Sequence, residues 1–269
     1  MRITEIKCKI ILTPTKVASF RWSLNPYVGC QHDCLYCYAS FMSKWHGAGA
    51  EWGDFVEVKV NASEVLEQQL KKKKRGEIWI ASICDPYQPI EAKYKLTRRC
   101  LEKLKNYPDL ISILTKSDLV LRDLDLIKSQ PQTEVGFTIT TLDEKVAKIF
   151  EPRAPAPHRR LEALKKLNKA GIETYVMLAP LIPYFSDSTE ALNEIFSALV
   201  QTGVKKVMVD AMNYLKKQAG QRIKPVLEQF GDEVKDAFDF ATSPYYSSEL
   251  RRRAKSAVKD YEQDIKLIF

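Results

Sequence analysis

Three cysteines, Cys30, Cys34 and Cys37, stand close together in the segment NPYVGCQHDCLYCYA (residues 25–39), and no fourth follows nearby. Thiolates at this C-x3-C-x2-C spacing can converge on one face of a soft metal centre. A structural zinc wants four protein ligands, usually supplied as two separated pairs. The segment has no second pair. His32 could complete a Cys3His set, but it sits between two of the thiols, unlike the usual zinc arrangement. A 4Fe-4S cluster held by three cysteines instead leaves one iron without a protein ligand, open to a small molecule.

Such a loop needs elements to position it. From residue 62 onward, helix-like segments alternate with short apolar runs, the pattern of repeated βα units and a parallel sheet. The runs at 77–83, 110–115, 134–140, 173–179 and 205–210 read as strands. Helical patterns lie near 62–74, 95–106, 119–129, 158–170, 188–202 and 213–229. The 158–170 segment follows Pro157, puts Leu161, Leu164 and Leu167 on one stripe and stops at Gly171. A strand at 25–29 brings the count to about six βα units, fewer than the eight of a closed barrel.

The expected fold is therefore an α/β partial (β/α)6 barrel. A flat, doubly wound sheet is the alternative that the same alternation allows. Residues 1–20 are expected as an N-terminal strand or extension, 21–240 as the core, and 241–269 as a C-terminal helical extension. Chemistry in parallel βα folds sits at the carboxyl ends of strands. Here those ends carry Cys30, Ser82 to Asp85, Thr115 to Ser117, Thr138 to Thr140, Ala179-Pro180 and Asp210-Ala211.

Several of these residues have readings of their own. Lys116, beside an apolar run, either reaches solvent or meets an anion. Arg153, held between prolines in EPRAPAP, suits a carboxylate or phosphate, or pairs with Glu151. Thr138 and Thr140 share one face of their strand. Tyr36 and Tyr38 flank the third cysteine as site or packing aromatics. Cys8 and Cys100 read as core thiols.

The motif with Tyr36 before its last cysteine, together with DPYQPIEAKYKLTRRCLEKL (85–104), TKSDLVLRDLDLI (115–127), FTITTLDEKVAKIFEPRAPAPHRRLEAL (137–164) and AGIETYVMLAPLIP (170–183), resembles the radical S-adenosylmethionine (SAM) enzymes. Within them the likeness is to the branch of spore photoproduct lyase and its DNA repair photolyase-like relatives, over about residues 20–210. The resemblance implies a 4Fe-4S cluster on Cys30, Cys34 and Cys37, with SAM on its open iron. It implies reductive cleavage of SAM to a 5′-deoxyadenosyl radical that takes hydrogen from a substrate, and a one-electron reductant of the flavodoxin or ferredoxin type.

For the site residues it implies Lys116 at the SAM carboxylate and Tyr36 and Tyr38 at the adenine and cluster. Thr138 and Thr140 fall at the ribose, and Arg153 at an anionic group. Asp85 or the carbonyls of Ser82 to Asp85 stand where many relatives carry a Gly-Gly-Glu segment for the SAM amino group, which this chain lacks. Cys84 matches the hydrogen-atom donor of the lyase, with a buried core thiol as the alternative.

A net charge of +8 and a pI near 9.0 admit a nucleic-acid partner, although 34 acidic residues accompany the basic ones. The run KKKKR at 71–75 ends a helical pattern, where cations complement the helix dipole. No stretch approaches the roughly 18 apolar residues of a membrane span, so a cytoplasmic enzyme without a membrane partner is expected. A lesion in DNA is one expected substrate; tRNA, a peptide or a small metabolite is another, and a non-catalytic iron-sulfur or zinc protein is the third reading.

Overall fold

The computed structural model describes residues 1–17, 20–72, 75–130, 132–212, 215–261 and 266–268. The chain divides into two compact units. The first comprises Met1–Asp33, Ala39–Gly136 and Ala170–Glu173, and the second Cys34–Tyr38, Phe137–Lys169 and Thr174–Phe269.

The first unit contains β1 (Arg2–Ile6), β2 (Leu12–Pro14), β3 (Trp22–Leu24), β4 (Tyr27–Val28), β5 (Phe55–Lys59), β6 (Ile78–Ile80) and β7 (Ile111–Thr115). β3, β6 and β7 run parallel side by side, and β2 adds an antiparallel edge. A small second sheet has the order β1-β5-β4. β8 (Thr133–Thr138) leads from the first unit into the second. There β9 (Glu173–Leu178), β10 (Lys206–Val209) and β11 (Lys266–Ile268) pair in parallel. The expected parallel α/β class holds, and no closed barrel forms among the described residues.

Helices follow the strands much as the periodicity predicts. The helix Pro157–Lys169 buries Arg160, Ala163, Leu164 and Leu167, an i, i+3, i+4, i+7 face. The helix Thr189–Val200 opens on Ser188, whose hydroxyl accepts from the Ala191 amide. The first helix is described to Lys72, so Lys73 and Lys74 of the basic run lie outside the described residues, as do Asn213 and Tyr214 of the 213–229 pattern.

Two expectations change, at the strand before the cysteines and at the tail. The parallel strand before the cysteines is Trp22–Leu24, not 25–29. Pro26 has no N–H to donate, so the chain turns at Asn25-Pro26, and Tyr27–Val28 joins the small sheet antiparallel to β5. Within residues 1–20, β1 pairs along its whole length with β5.

The tail is more than one appended helix. Tyr246–Ala257 is helical, but Lys266–Ile268 adds a parallel strand to β10. Residues 262–265 and 269 of the expected C-terminal helix lie outside the described residues. The helix is anchored by its own polar contacts: Tyr246 donates to Asp187 at 2.9 Å and Arg253 at 3.2 Å.

Candidate functional site at the cysteine loop

In the first unit the loop begins at Gly29, whose φ of +87° lies in the left-handed region. A Cβ there would stand 2.3 Å from the Phe55 carbonyl oxygen. Gly29→Ala is expected to cost about 1–3 kcal/mol in urea unfolding. Gly49 also has positive φ but open space around it, so Gly49→Ala should cost less; equal losses would deny the close approach its importance.

Cys30 is held by its neighbours' backbone. Gln88, fully buried, accepts from the Gln31 amide at 2.9 Å and donates to the Gly29 carbonyl at 3.2 Å. One side chain thus clamps the chain on both sides of the first cysteine.

Asp85 is a hub for the same region. Its Oδ1 accepts from the Tyr87 amide at 2.9 Å and the Thr115 hydroxyl at 2.7 Å, and its Oδ2 accepts from the Lys116 amide at 2.8 Å. His32 Nδ1 lies 3.3 Å from that Oδ2. Burial alone would raise this carboxyl, but the neighbouring His32, Thr115 and Lys116 amide outweigh it and hold the pKa at about 2.

Because the folded pKa lies below the unfolded one, Asp85 adds stability above about pH 4, and this is lost as the pH falls toward 2, roughly 2 kcal/mol in all. Asp85→Asn is expected to flatten the acid limb of a Tm-against-pH curve in that window. Parallel curves for the two proteins would contradict it.

The segment after β6 is fixed by Asn25. Its side-chain oxygen accepts from the amides of Ser82 and Ile83 at 2.8 and 3.0 Å, and its amide donates to the hydroxyls of Ser23 and Ser82. Lys59 closes the set by donating to the Asn25 carbonyl at 2.8 Å. Cys84 follows, half-buried against Tyr27, Val56, Val58, Ile90 and Leu96. Its Sγ stands 4.0 Å from Asn25 Oδ1.

Cys34, Tyr36, Cys37 and Tyr38 belong to the second unit. The Cys37 amide donates to the Cys34 carbonyl at 3.1 Å, a single turn that carries the last two cysteines. Arg222 also donates to the Cys34 carbonyl, at 2.6 Å, and the Leu35 amide bonds the Phe150 carbonyl at 2.9 Å. Cys34 and Tyr36 pack with Val146, Phe150, Ile182 and Phe238.

Tyr36 is a core aromatic whose hydroxyl donates to Glu151. Burial pushes its phenol well above the usual range, and Cys34 and Glu151 add to the shift. Glu151 also accepts from Thr140 at 3.1 Å and pairs with the buried guanidinium of Arg160. Arg160 in turn donates to the Thr138 carbonyl at 3.1 Å and the Pro155 carbonyl at 2.9 Å. Tyr38 is 41% exposed, and Arg153 lies on the surface.

Within each unit, then, expected site residues come together: Ser82, Cys84, Asp85 and Lys116 around Asn25 and Asp85 in the first, Tyr36, Thr138 and Thr140 around Glu151 and Arg160 in the second. The cysteine triplet is divided, Cys30 in the first unit and the other two in the second. Within neither unit, among the described residues, do three His, Cys, Asp or Glu side chains gather as a metal group. None of the three cysteines forms a disulfide, so the donor set is three thiols, which suits an iron-sulfur cluster. Asn25, Gln88, Arg160 and Arg222 were not legible as site-building residues. Arg160 alone left a signal, being in step with the apolar stripe of its helix.

Parallel strands with polar side chains gathered beyond their carboxyl ends are the arrangement of α/β proteins that work at strand ends. The Radical SAM superfamily profile matches residues 24–196, and the chain belongs to that superfamily. Members use a 4Fe-4S cluster and SAM, and the protein is accordingly a radical SAM enzyme.

An uncharacterized protein of Methanocaldococcus jannaschii is 41% identical over 72% of this chain and 73% of its own length. One of Mycobacterium tuberculosis is 31% identical over 76% of this chain, and the chain spans 63% of that relative's length. The radical SAM Nalpha-GlyT isomerase of Pseudomonas phage M6 is 24% identical over 80% of this chain and 44% of its own length. Among solved structures, spore photoproduct lyase has a TM-score of 0.72 at 18% identity, over 98% of this chain and 81% of that one. It has also been solved in complex with dinucleoside spore photoproduct, with a TM-score of 0.68 at 16% identity and the same coverage. Among the described residues no helix is long and apolar enough to cross a membrane.

Proposed function

We propose that Cys30, Cys34 and Cys37 hold the cluster, that SAM binds at the iron they leave open, and that the protein abstracts hydrogen from a nucleic-acid substrate in the manner of lesion repair. The match of residues 24–196 to the superfamily, with the three undisulfided thiols inside it, carries the reading. When bound on Cys30, Cys34 and Cys37, the cluster would supply the one electron that reductive cleavage of SAM requires.

The chain's own residues have the work of holding and shielding. Gln88 and Arg222 fix the backbone at Cys30 and Cys34, Asn25 fixes the Ser82 to Asp85 segment, and Lys116 meets the SAM carboxylate. Thr138, Thr140, Tyr36 and Tyr38 border the nucleoside, and Arg153 takes an anionic group. Cys84, at a strand end and half-buried, returns a hydrogen atom to the substrate radical.

Nucleic acid is favoured by the net charge of +8 and by exposed aromatics soon after the loop. Trp45 is 70% exposed, with its ring centroid 6.0 Å from that of Phe41; flat exposed rings of this kind stack on bases. The likeness to a lyase solved with a dinucleoside lesion points the same way.

Incubating the reduced, anaerobically reconstituted protein with SAM is expected to yield 5′-deoxyadenosine; none under strong reduction would refute the enzyme reading. Oligonucleotide binding should weaken steeply with salt, and salt-indifferent binding would turn the reading toward a peptide or small metabolite. Lys116→Ala is expected to weaken SAM roughly 10-fold or more, the loss of a charge-assisted bond, with iron content unchanged. Equal affinity in a binding titration would remove Lys116 from the site.

A further inference from the structure

Lys59 ends β5, and its side chain is half-buried. Its ammonium donates to the Asn25 carbonyl at 2.8 Å, a neutral acceptor. Glu57, two residues earlier on the strand, is engaged elsewhere: His46 Nδ1 lies 2.7 Å from its Oε2, and the Gly47 amide donates to its Oε1 at 3.1 Å. Among the described residues no carboxylate pairs with Lys59. Burial pushes the lysine's pKa down, and the nearby Cys84, Cys8 and Glu57 offset only part of that. A cation withdrawn from water without a counter-anion is costly, and it gains most from an anion that arrives from outside.

The same face of β5 carries the means to recognise what bears that anion. Side chains alternate along a strand, so Phe55, Glu57 and Lys59 point to one side. The segment lying on that side is the one with the exposed rings. A Cβ on Gly47 would stand 2.5 Å from the Phe55 ring, and His46, held by Glu57, directly follows Trp45. Trp45 and Phe41 are the exposed pair whose ring centroids stand 6.0 Å apart. Rings that stack bases, beside a cation that tracks the backbone, are what single-stranded nucleic acid requires. Asn25, which Lys59 contacts, also places its Oδ1 4.0 Å from Cys84 Sγ.

We propose that the Lys59 ammonium pairs with a backbone phosphate of single-stranded nucleic acid whose bases stack on Trp45 and Phe41. This rests on the reading of the substrate as nucleic acid and deepens it. It names an unpaired strand or an extruded nucleotide, because bases stacked inside a duplex present no free face to these rings. A phosphate at Lys59 also brings the strand to Asn25, and so beside Cys84.

The test uses the full chain, reconstituted anaerobically, and a short single-stranded oligothymidylate titrated at a series of salt concentrations. Lys59→Met is expected to weaken binding roughly 10-fold at low salt, the loss of a charge-assisted contact. It should also lower the slope of log affinity against log salt by about 0.7, the share of one single-strand phosphate. Loss of the Asn25 contact alone would not move that slope, since a neutral carbonyl releases no counterion. Lys59→Arg, which keeps the cation, should keep the slope. Trp45→Ala should weaken binding roughly 10-fold with the slope unchanged.

An unchanged slope in Lys59→Met overturns the proposal, whatever happens to the affinity. So does an equal fall of slope in Lys59→Arg, and so does loss of iron together with binding, which would mark a structural role. If the unaltered protein does not bind the oligothymidylate, or binds it without salt dependence, the nucleic-acid reading itself fails and this proposal with it, an outcome distinct from a defect confined to the Lys59 variants.

Discussion

Replacing Cys34 by alanine is expected to bring the iron content and the broad visible absorption of the reconstituted protein down to background. With three cysteines as the whole protein ligand set, loss of one leaves two irons without a protein ligand, and a cluster so held does not survive desalting. The fold should tolerate the change. Cys34 is one small member of a cluster that keeps Phe150, Ile182 and Phe238, and its carbonyl, which Arg222 grips, belongs to the backbone.

The control is Cys100→Ala, a residue buried in the helix Leu96–Lys103, whose thiol burial pushes above its usual range. That variant should lose some stability and none of its iron. Retention of iron and spectrum by Cys34→Ala would remove the loop from the metal. A single bound zinc in the unaltered protein, found by metal analysis, would replace the radical reading with the Cys3His alternative.

The second large effect concerns stability. Arg160 and Glu151 are each 1% exposed and paired with one another, with Tyr36, Thr140 and the Thr138 and Pro155 carbonyls completing the network. Arg160→Ala strands a buried carboxylate, and breaking such a pair costs about 3–5 kcal/mol, a fall in Tm of roughly 10 °C. Arg252→Ala, at an exposed pair with Glu249, should shift stability by no more than about 0.5 kcal/mol.

Calorimetry on the two variants checks the contrast, and comparable losses would mean that burial confers no special weight on the Glu151 pair. The consequence reaches the site, because Glu151 holds the Tyr36 hydroxyl inside the segment Cys34–Tyr38. Arg160→Ala is therefore also expected to reduce iron uptake, while Arg252→Ala leaves it alone.

How much of this could be read beforehand differs by residue. Cys30, Cys34 and Cys37 announce themselves because ligand spacing is local: it is a property of eight consecutive positions and needs no partner from elsewhere. The βα alternation is equally local, since periods of 2 and 3.6 residues are written in short windows. That is why five of the six strands expected from the sequence lie where their apolar runs stand.

The sixth slipped to Trp22–Leu24 because a single proline removed the N–H that a continuous strand would have needed. The terminal strand Lys266–Ile268 was read as helix for the opposite reason. Three residues carry too short a period, and only the edge of β10 selects the extended form.

The roles of polar side chains depended on partners distant in the chain. Asp85, or the carbonyls of Ser82 to Asp85, stood out at a strand end for the SAM amino group, and folding adds what the sequence did not show, that Thr115, Lys116 and His32 gather at the oxygens of Asp85. Gln88 looked like one more polar residue of DPYQP until it spanned the backbone on both sides of Cys30. The sequence offered Arg153 as a neighbour for Glu151, and the buried face of a helix supplied Arg160.

Periodicity along the chain was thus sufficient for the parallel α/β class, and the resemblance of its motifs for the family. Which polar groups hold the cysteine loop came from the tertiary structure. Hydrogen bonding selects partners by distance in space, and residues 30 to 115 positions apart meet only once the chain has folded.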